Sequence, residues 1–288
     1  MVNCMNLSPN DFLKHNLNWD PSALQLIEKA GGLSSDNFRI TYNNKDYFLR
    51  LCPHTYLHTN RGLELSVINQ ASSLGLCDKP SYYEIKTGHM VSPWIYGNMP
   101  SEKDFESFKF IDLVTANLKR LHSLTCDVEF QLYSLIEERI KLCRQYEIQL
   151  PDSIDNILST LNRLEIKLNK NKQLGLCHND LNASNMILNK DKLFFVDYEY
   201  ASMGDIFFDL ATVSWFMNTK CRKYLLTSYF GEYKDEYYEK LLDYLYIVKL
   251  YNATWSLLKS KDSNSEYDYF KGANMIFEDL LNFESIRT

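Results

Sequence analysis

The octapeptide His178-Asn179-Asp180-Leu181-Asn182-Ala183-Ser184-Asn185, followed by Phe195-Val196-Asp197-Tyr198-Glu199, constrains this chain more than any other feature. The Asp-x-x-x-x-Asn spacing puts a carboxylate at the start of a tight loop and an amide at its end. Next, Lys192-Leu193-Phe194-Phe195-Val196 is a short apolar run rich in strand formers that delivers Asp197 at its tip. A strand, a loop and a second strand would thus gather three oxygen ligands, the kind that hard divalent cations prefer. Such a set suits phosphoryl transfer, which needs little covalent help from protein but does need charge neutralised and reactants aligned. In this reading Asp180 accepts the proton of an attacking hydroxyl, while Asn185 and Asp197 hold Mg²⁺. His178 is read as packing and hydrogen-bonding the loop, not as a catalytic base. The competing reading is a structural hairpin with incidental acids; the company that Asp180, Asn185 and Asp197 keep argues against it.

A chain of 288 residues, 45% hydrophobic, can bury a substantial core, so disorder is excluded and one large domain or two joined lobes are expected. The formal net charge of −6 argues against nucleic-acid binding, which needs clustered Lys and Arg. Seven scattered cysteines without a Cys-x-x-Cys pair fit reduced thiols and a cytoplasmic location. The start shows no signal peptide, and the densest apolar stretch, 206–217, is interrupted by Asp209 and too short for a membrane span, which takes about 20 residues.

Along the chain, residues 9–18 predict a helix capped near Ser8 or Asn10. Ala23 to Ile27 predicts a strand entering Gly31-Gly32-Leu33-Ser34-Ser35-Asp36-Asn37. That turn suits either an ordinary hairpin or a loop whose backbone N–H groups, around Ser34, Ser35 and Asn37, approach phosphates. Asn37–Tyr42 and Tyr47–Leu51, separated by Asn43-Asn44-Lys45-Asp46, predict a β-hairpin. Arg50 on its second strand and Glu64 on a helix over 61–74 repeat the logic of a strand cation held by a helix carboxylate above the phosphates of ATP. Further strands are expected at 81–84 and 89–95, where Pro93 ends the sheet. Helices are expected over 104–125, 131–145, 153–169 and several times after 205. A β-rich first third and a helical remainder predict an α+β chain of two lobes, 1–95 for nucleotide phosphate binding and 96–288 for the catalytic loop, metal and substrate. The linker near 95–100, with Trp94 and Ile95 at its start, would offer backbone amides to an adenine ring.

Tyr200, Trp255 and Tyr269 read from periodicity alone as core rings. Aromatic faces also attract a quaternary ammonium, which has no N–H for a salt bridge.

These segments together resemble the choline/ethanolamine kinase family, part of a wider group with aminoglycoside phosphotransferases and protein-kinase-like enzymes. The resemblance rests on Gly31 to Asn37, Leu49-Arg50-Leu51, the helix bearing Glu64, Leu118 to Leu124, His178 to Leu188, and Val196 to Met203 continuing to Phe208-Asp209-Leu210. It spans roughly residues 24–275. The Asp197-Tyr198-Glu199-Tyr200-Ala201 segment and Trp255-Ser256-Leu257 are most similar to LicA-type bacterial choline kinases.

The resemblance implies a two-lobed protein-kinase-like fold using ATP and Mg²⁺, with Asp180 as base, Asn185 and Asp197 as metal ligands and Asn182 as a secondary polar group. It implies that Arg50, Glu64, Ser34, Ser35, Asn37, Trp94 and Ile95 serve the nucleotide. Tyr200, Trp255, Tyr269 and Glu199 would serve the substrate, a small molecule whose hydroxyl is phosphorylated: choline, or alternatively ethanolamine, an aminoglycoside, thiamine or a sugar. No nucleic-acid partner and no membrane insertion are expected; oligomeric state leaves no readable mark. The chain departs from the family at Leu258, where many relatives carry a second Trp, and at Phe216, where an acid is expected. Trp215, Tyr251 or Tyr267 would then rebuild the cage.

Overall fold

A computed structural model describes residues 8–30, 35–52, 60–261 and 267–287. The chain divides into two compact units, Met1–Pro100 with Ser184–Ala201, and Ser101–Ala183 with Ser202–Thr288. The smaller unit therefore includes a segment that the expected boundary at residue 95 leaves in the second lobe.

The smaller unit begins with α1 (Pro9–Leu17). Its cap is Ser8, whose Oγ accepts the Asp11 N–H at 3.2 Å, and proline occupies the first turn, where no N–H is needed. Strands β1 (Leu24–Lys29), β2 (Asp36–Tyr42) and β3 (Lys45–Leu51) follow, then α2 (Arg61–Ser73), β4 (Tyr82–Tyr83) and β5 (Met90–Pro93). They make one antiparallel sheet in the order β1-β2-β3-β5-β4. The β2–β3 turn is two residues rather than the expected four. Asn43 and Asn44 sit at φ +49° and +58°, a left-handed pair that matches the twist of a hairpin, and Lys45 and Asp46 already belong to β3. Pro93 is the last residue of β5, where a missing N–H disturbs no further pairing. Phe12 and Leu13 of α1 pack with Ile40, Leu49, Leu51 and Val91 in one buried cluster.

The larger unit opens with α3 (Glu102–Phe105) and α4 (Phe108–His122), where a single helix over 104–125 was expected. Ser101 and Asp104 form a capping box that starts a separate short turn, and Ser107 begins the second helix. Helices α5 (Leu132–Gln145) and α6 (Ile154–Leu168) lead to β6 (Leu174–Cys177). The chain then supplies the smaller unit with the antiparallel hairpin of β7 (Met186–Asn189) and β8 (Lys192–Phe195). It resumes the larger unit with β9 (Ser202–Asp205), α7 (Phe207–Ser214), α8 (Thr219–Phe230), α9 (Asp235–Lys259) and α10 (Tyr269–Arg287). Strands β6 and β9 pair antiparallel. The middle of α9, from Leu241 to Leu257, is buried almost throughout, which makes it the axis on which α5, α7 and α10 pack. Among the described residues no helix is long and apolar enough to cross a membrane, and the six described cysteines are free thiols.

Candidate active site

In the larger unit, β6 delivers His178 and Asn179 into a fully covered position, 0% and 1% exposed. Their backbone N–H groups both donate to Asp209 at the start of α7, at 2.7 Å to Oδ2 and 2.9 Å to Oδ1. Asn179 adopts φ +63°, a left-handed conformation that asparagine tolerates, and its amide donates to Ser202 Oγ on β9 at 3.0 Å. This bend presents the next residue, Asp180, half-buried, and the Asn182 amide donates to its Oδ1 at 3.2 Å. Asp209 also lies 3.2 Å from His122 Nε2, whose other ring nitrogen is 2.8 Å from the Tyr229 hydroxyl. His178 is a packed residue of this loop, as its sequence context implied.

In the smaller unit, Asn185 leads into β7, and its carbonyl accepts the N–H of Val196 just past β8 at 3.0 Å, tying the two ends of the hairpin. Asp197 follows at φ +65° with its side chain 40% exposed. Arg50 of β3 points Nη1 at Glu64 Oε1 of α2, 2.7 Å away, and at Asp197 Oδ1, 3.5 Å away. Arg50 Nε donates to the Gly88 carbonyl at 3.1 Å, whereas its Nη2 is buried with no hydrogen-bond partner among the described residues. Glu64 is 1% exposed; its Oε2 accepts from Arg61 and from the Tyr83 hydroxyl, each at 2.6 Å. Burial opposes the charge on Glu64, but Arg50, Arg61 and Tyr83 outweigh it and hold the carboxyl below its ordinary value. Glu199 goes the other way: burial, reinforced by the Asp197 charge, pushes its carboxyl up to about 7 against the pull of Arg61.

Of the other residues singled out for the nucleotide, Ser34 lies outside the described residues. Ser35 Oγ donates to Asn37 Oδ1 at 3.1 Å, and Asn37 is the cross-strand partner of Arg50. The Trp94 ring faces the Arg39 guanidinium at 5.2 Å, and Ile95 beside it is half-buried.

Among the aromatic candidates, Trp255 of α9 and Tyr269 at the head of α10 meet edge to face, centroids 5.7 Å apart. Tyr267 extends the group, 4.9 Å from Tyr269, and is 56% exposed whereas Tyr269 is covered. Tyr200 belongs to the smaller unit and is half-buried. Tyr251, one of the rings considered as a replacement wall, is not available: it is buried under the Arg139 guanidinium at 4.1 Å. Phe216 is 75% exposed and stacks on Trp215.

Sequence reasoning missed Arg61, Tyr83 and Asp209 as parts of these clusters. Only Arg61 left a local sign, standing three residues before Glu64 on the same helical face.

The donor set fits a nucleotide with a hard cation. Carboxylate and amide oxygens at Asn185 and Asp197 are Mg²⁺ ligands by type, and the buried Arg50 Nη2 has a donor to give to an anion.

Probable choline kinase 3 of Arabidopsis thaliana is 24% identical, over 90% of this chain and 86% of its own. Protein LicA of Haemophilus influenzae is 25% identical, over 84% and 76%. The fold matches that of a choline/ethanolamine kinase family protein from Mesorhizobium loti with a TM-score of 0.81 at 21% identity, covering 95% of this chain and 92% of that one. Residues 26–243 match the phosphotransferase enzyme family, and with an α+β architecture of this kind the chain belongs to it.

Proposed function

We propose that the protein transfers the γ-phosphoryl group of ATP to the hydroxyl of choline, giving phosphocholine, ADP and a proton. The observation that carries this reading is the buried Arg50, paired with Glu64, in contact with Asp197, and with no hydrogen-bond partner for Nη2 among the described residues. Asp180 orients the alcohol and takes its proton as the new P–O bond forms. Arg50, steadied by Glu64, binds phosphate oxygens, and Asn185 and Asp197 hold Mg²⁺, which supplies neutralisation of the charge on the nucleotide's tail. Trp255 and Tyr200 offer ring faces to the trimethylammonium group, a cation that cannot bind carboxylates by N–H donation, and the covered Tyr269 supports Trp255 edge to face. The chemistry needs ATP, so the reading puts the protein in the cytoplasm. The names of the relatives support choline; ethanolamine is the second reading, favoured by Leu258 in place of a second Trp, which leaves one ring fewer for a quaternary cation.

An ADP-release assay over choline, ethanolamine, thiamine, sugars and aminoglycosides, with and without Mg²⁺, tests the reading. Choline is expected to give the highest kcat/KM, and Asp180→Ala to lower turnover by about two to four decades, the span of a lost general base. Release with none of these acceptors, or wild-type turnover in Asp180→Ala, would refute it.

A further inference from the structure

Helix α2 opens on a cation, although the positive end of a helix dipole disfavours one there. Arg61 is its first residue, and its side chain is only 9% exposed. Burying a guanidinium in that position is tolerable only with acidic partners. Among the described residues it has two: Nη1 lies 2.6 Å from Glu64 Oε2 and 3.4 Å from Glu199 Oε2. The space it fills is made by Gly88, at φ +82°, where a Cβ would come within 2.5 Å of Arg61 Nε and 2.9 Å of Cζ. The same glycine's carbonyl accepts Arg50 Nε at 3.1 Å, so one residue seats both arginines.

The two cations divide the work around one carboxylate. Arg50 joins Glu64 to Asp197, and Arg61 joins Glu64 to Glu199. The segment 197–199 lies more than 130 residues along the chain from α2 and follows a strand whose pairing ends at Phe195. Without Arg61, Glu199 would lose its ion pair to α2.

We infer that Arg61 is a second positioning residue for phosphoryl transfer: by bridging Glu64 and Glu199 it fixes the segment that carries Asp197, and its loss weakens the hold on the metal–nucleotide rather than on the alcohol. This rests on the reading in which Asp197 holds Mg²⁺. Arg61 touches no reacting atom in this scheme; it acts through Glu199.

Calorimetric titration of the full chain with Mg·ADP, and separately with choline, tests it without recourse to turnover. Arg61→Gln is expected to weaken Mg·ADP about tenfold, within the coupling range of contacting charged groups, and to change choline affinity less than about twofold. In a Glu199→Gln background the further effect of Arg61→Gln should fall below about twofold, because the contact it serves is already gone. If Arg61→Gln does not fold, Gly88→Ala replaces it in the same cycle, since the added Cβ displaces the guanidinium and leaves its charge in the protein. Unchanged Mg·ADP affinity, or a loss of full size that persists in the Glu199→Gln background, overturns the inference while leaving the proposed function standing. A wild-type protein that binds no Mg·ADP overturns the proposed function, and this inference with it.

Discussion

Glu64 is the residue on which the smaller unit's charges turn. It is a single carboxylate, almost wholly covered, that takes a cation on each oxygen and a tyrosine hydroxyl besides. Breaking a buried ion pair by removing one partner costs about 3–5 kcal/mol, because the remaining charge stays buried. Glu64→Gln should therefore lower unfolding stability by about that much in a urea titration; a change below about 1 kcal/mol would mean that Arg50 and Arg61 reach solvent on their own. Tyr83→Phe removes only a hydrogen bond to a charged acceptor, so a smaller loss, about 1.5–3 kcal/mol, is expected from the same titration. The pairing of Arg50 with Glu64 was legible from residue types alone. Asp180, Asn185 and Asp197 stand close enough in sequence for their spacing to be read, and the β3 cation and α2 acid follow a recognisable order. Tyr83 and Asp209 were not, since a tyrosine hydroxyl or a helix-borne acid acquires its role only when distant segments fold against it.

At the scale of elements, the β2–β3 hairpin carries its own acid sensitivity. Asp46 of β3 accepts from the Thr41 hydroxyl at 2.6 Å, from Arg39, and from the Tyr96 hydroxyl at 2.9 Å. These bonds, that of Thr41 foremost, hold its carboxyl down to about 2. A depressed carboxyl stabilises the folded state above the unfolded value and ceases to do so as pH falls through the folded one. The hairpin's share of stability should thus fade between about pH 4 and pH 2, and Asp46→Asn should flatten that part of the stability–pH curve. A mutant curve parallel to the wild-type one over this window would dismiss the idea. Local chemistry made this hairpin, the Ser8-capped α1 and the strand ending at Pro93 readable in advance. The pairing of β6 with β9 was not readable: Leu174–Cys177 and Ser202–Asp205 are four-residue strands whose partners lie far apart in sequence. The break between α3 and α4 escaped notice because apolar residues at 105, 110 and 111 continue the helical spacing across it, while the Ser101–Asp104 capping box decides the boundary.

For the whole molecule, ligand linkage gives a direct check on the proposed chemistry. A nucleotide that binds only the folded chain, at a concentration 100 times its Kd, should add about 2.7 kcal/mol of stability. Mg·ATP should raise the thermal midpoint accordingly and EDTA should cancel most of the rise; a midpoint indifferent to EDTA would count against Asn185 and Asp197 as metal ligands. The division into units was only partly foreseeable, because a β-rich first third followed by helices hides the return of the chain to the smaller unit. That return is built from contacts such as Phe195 N–H to Leu76 O at 2.8 Å and the bridge between Asn98 and Leu188. During synthesis, a ribosome must therefore make roughly a hundred residues beyond Pro100 before the last strands and acids of the smaller unit exist. At about 5–20 residues per second that interval lasts about 5–20 s, during which two arginines sharing one acid wait for their other counterparts. Chaperone binding to nascent chains stalled between residues 100 and 200 is expected to be strongest in that window.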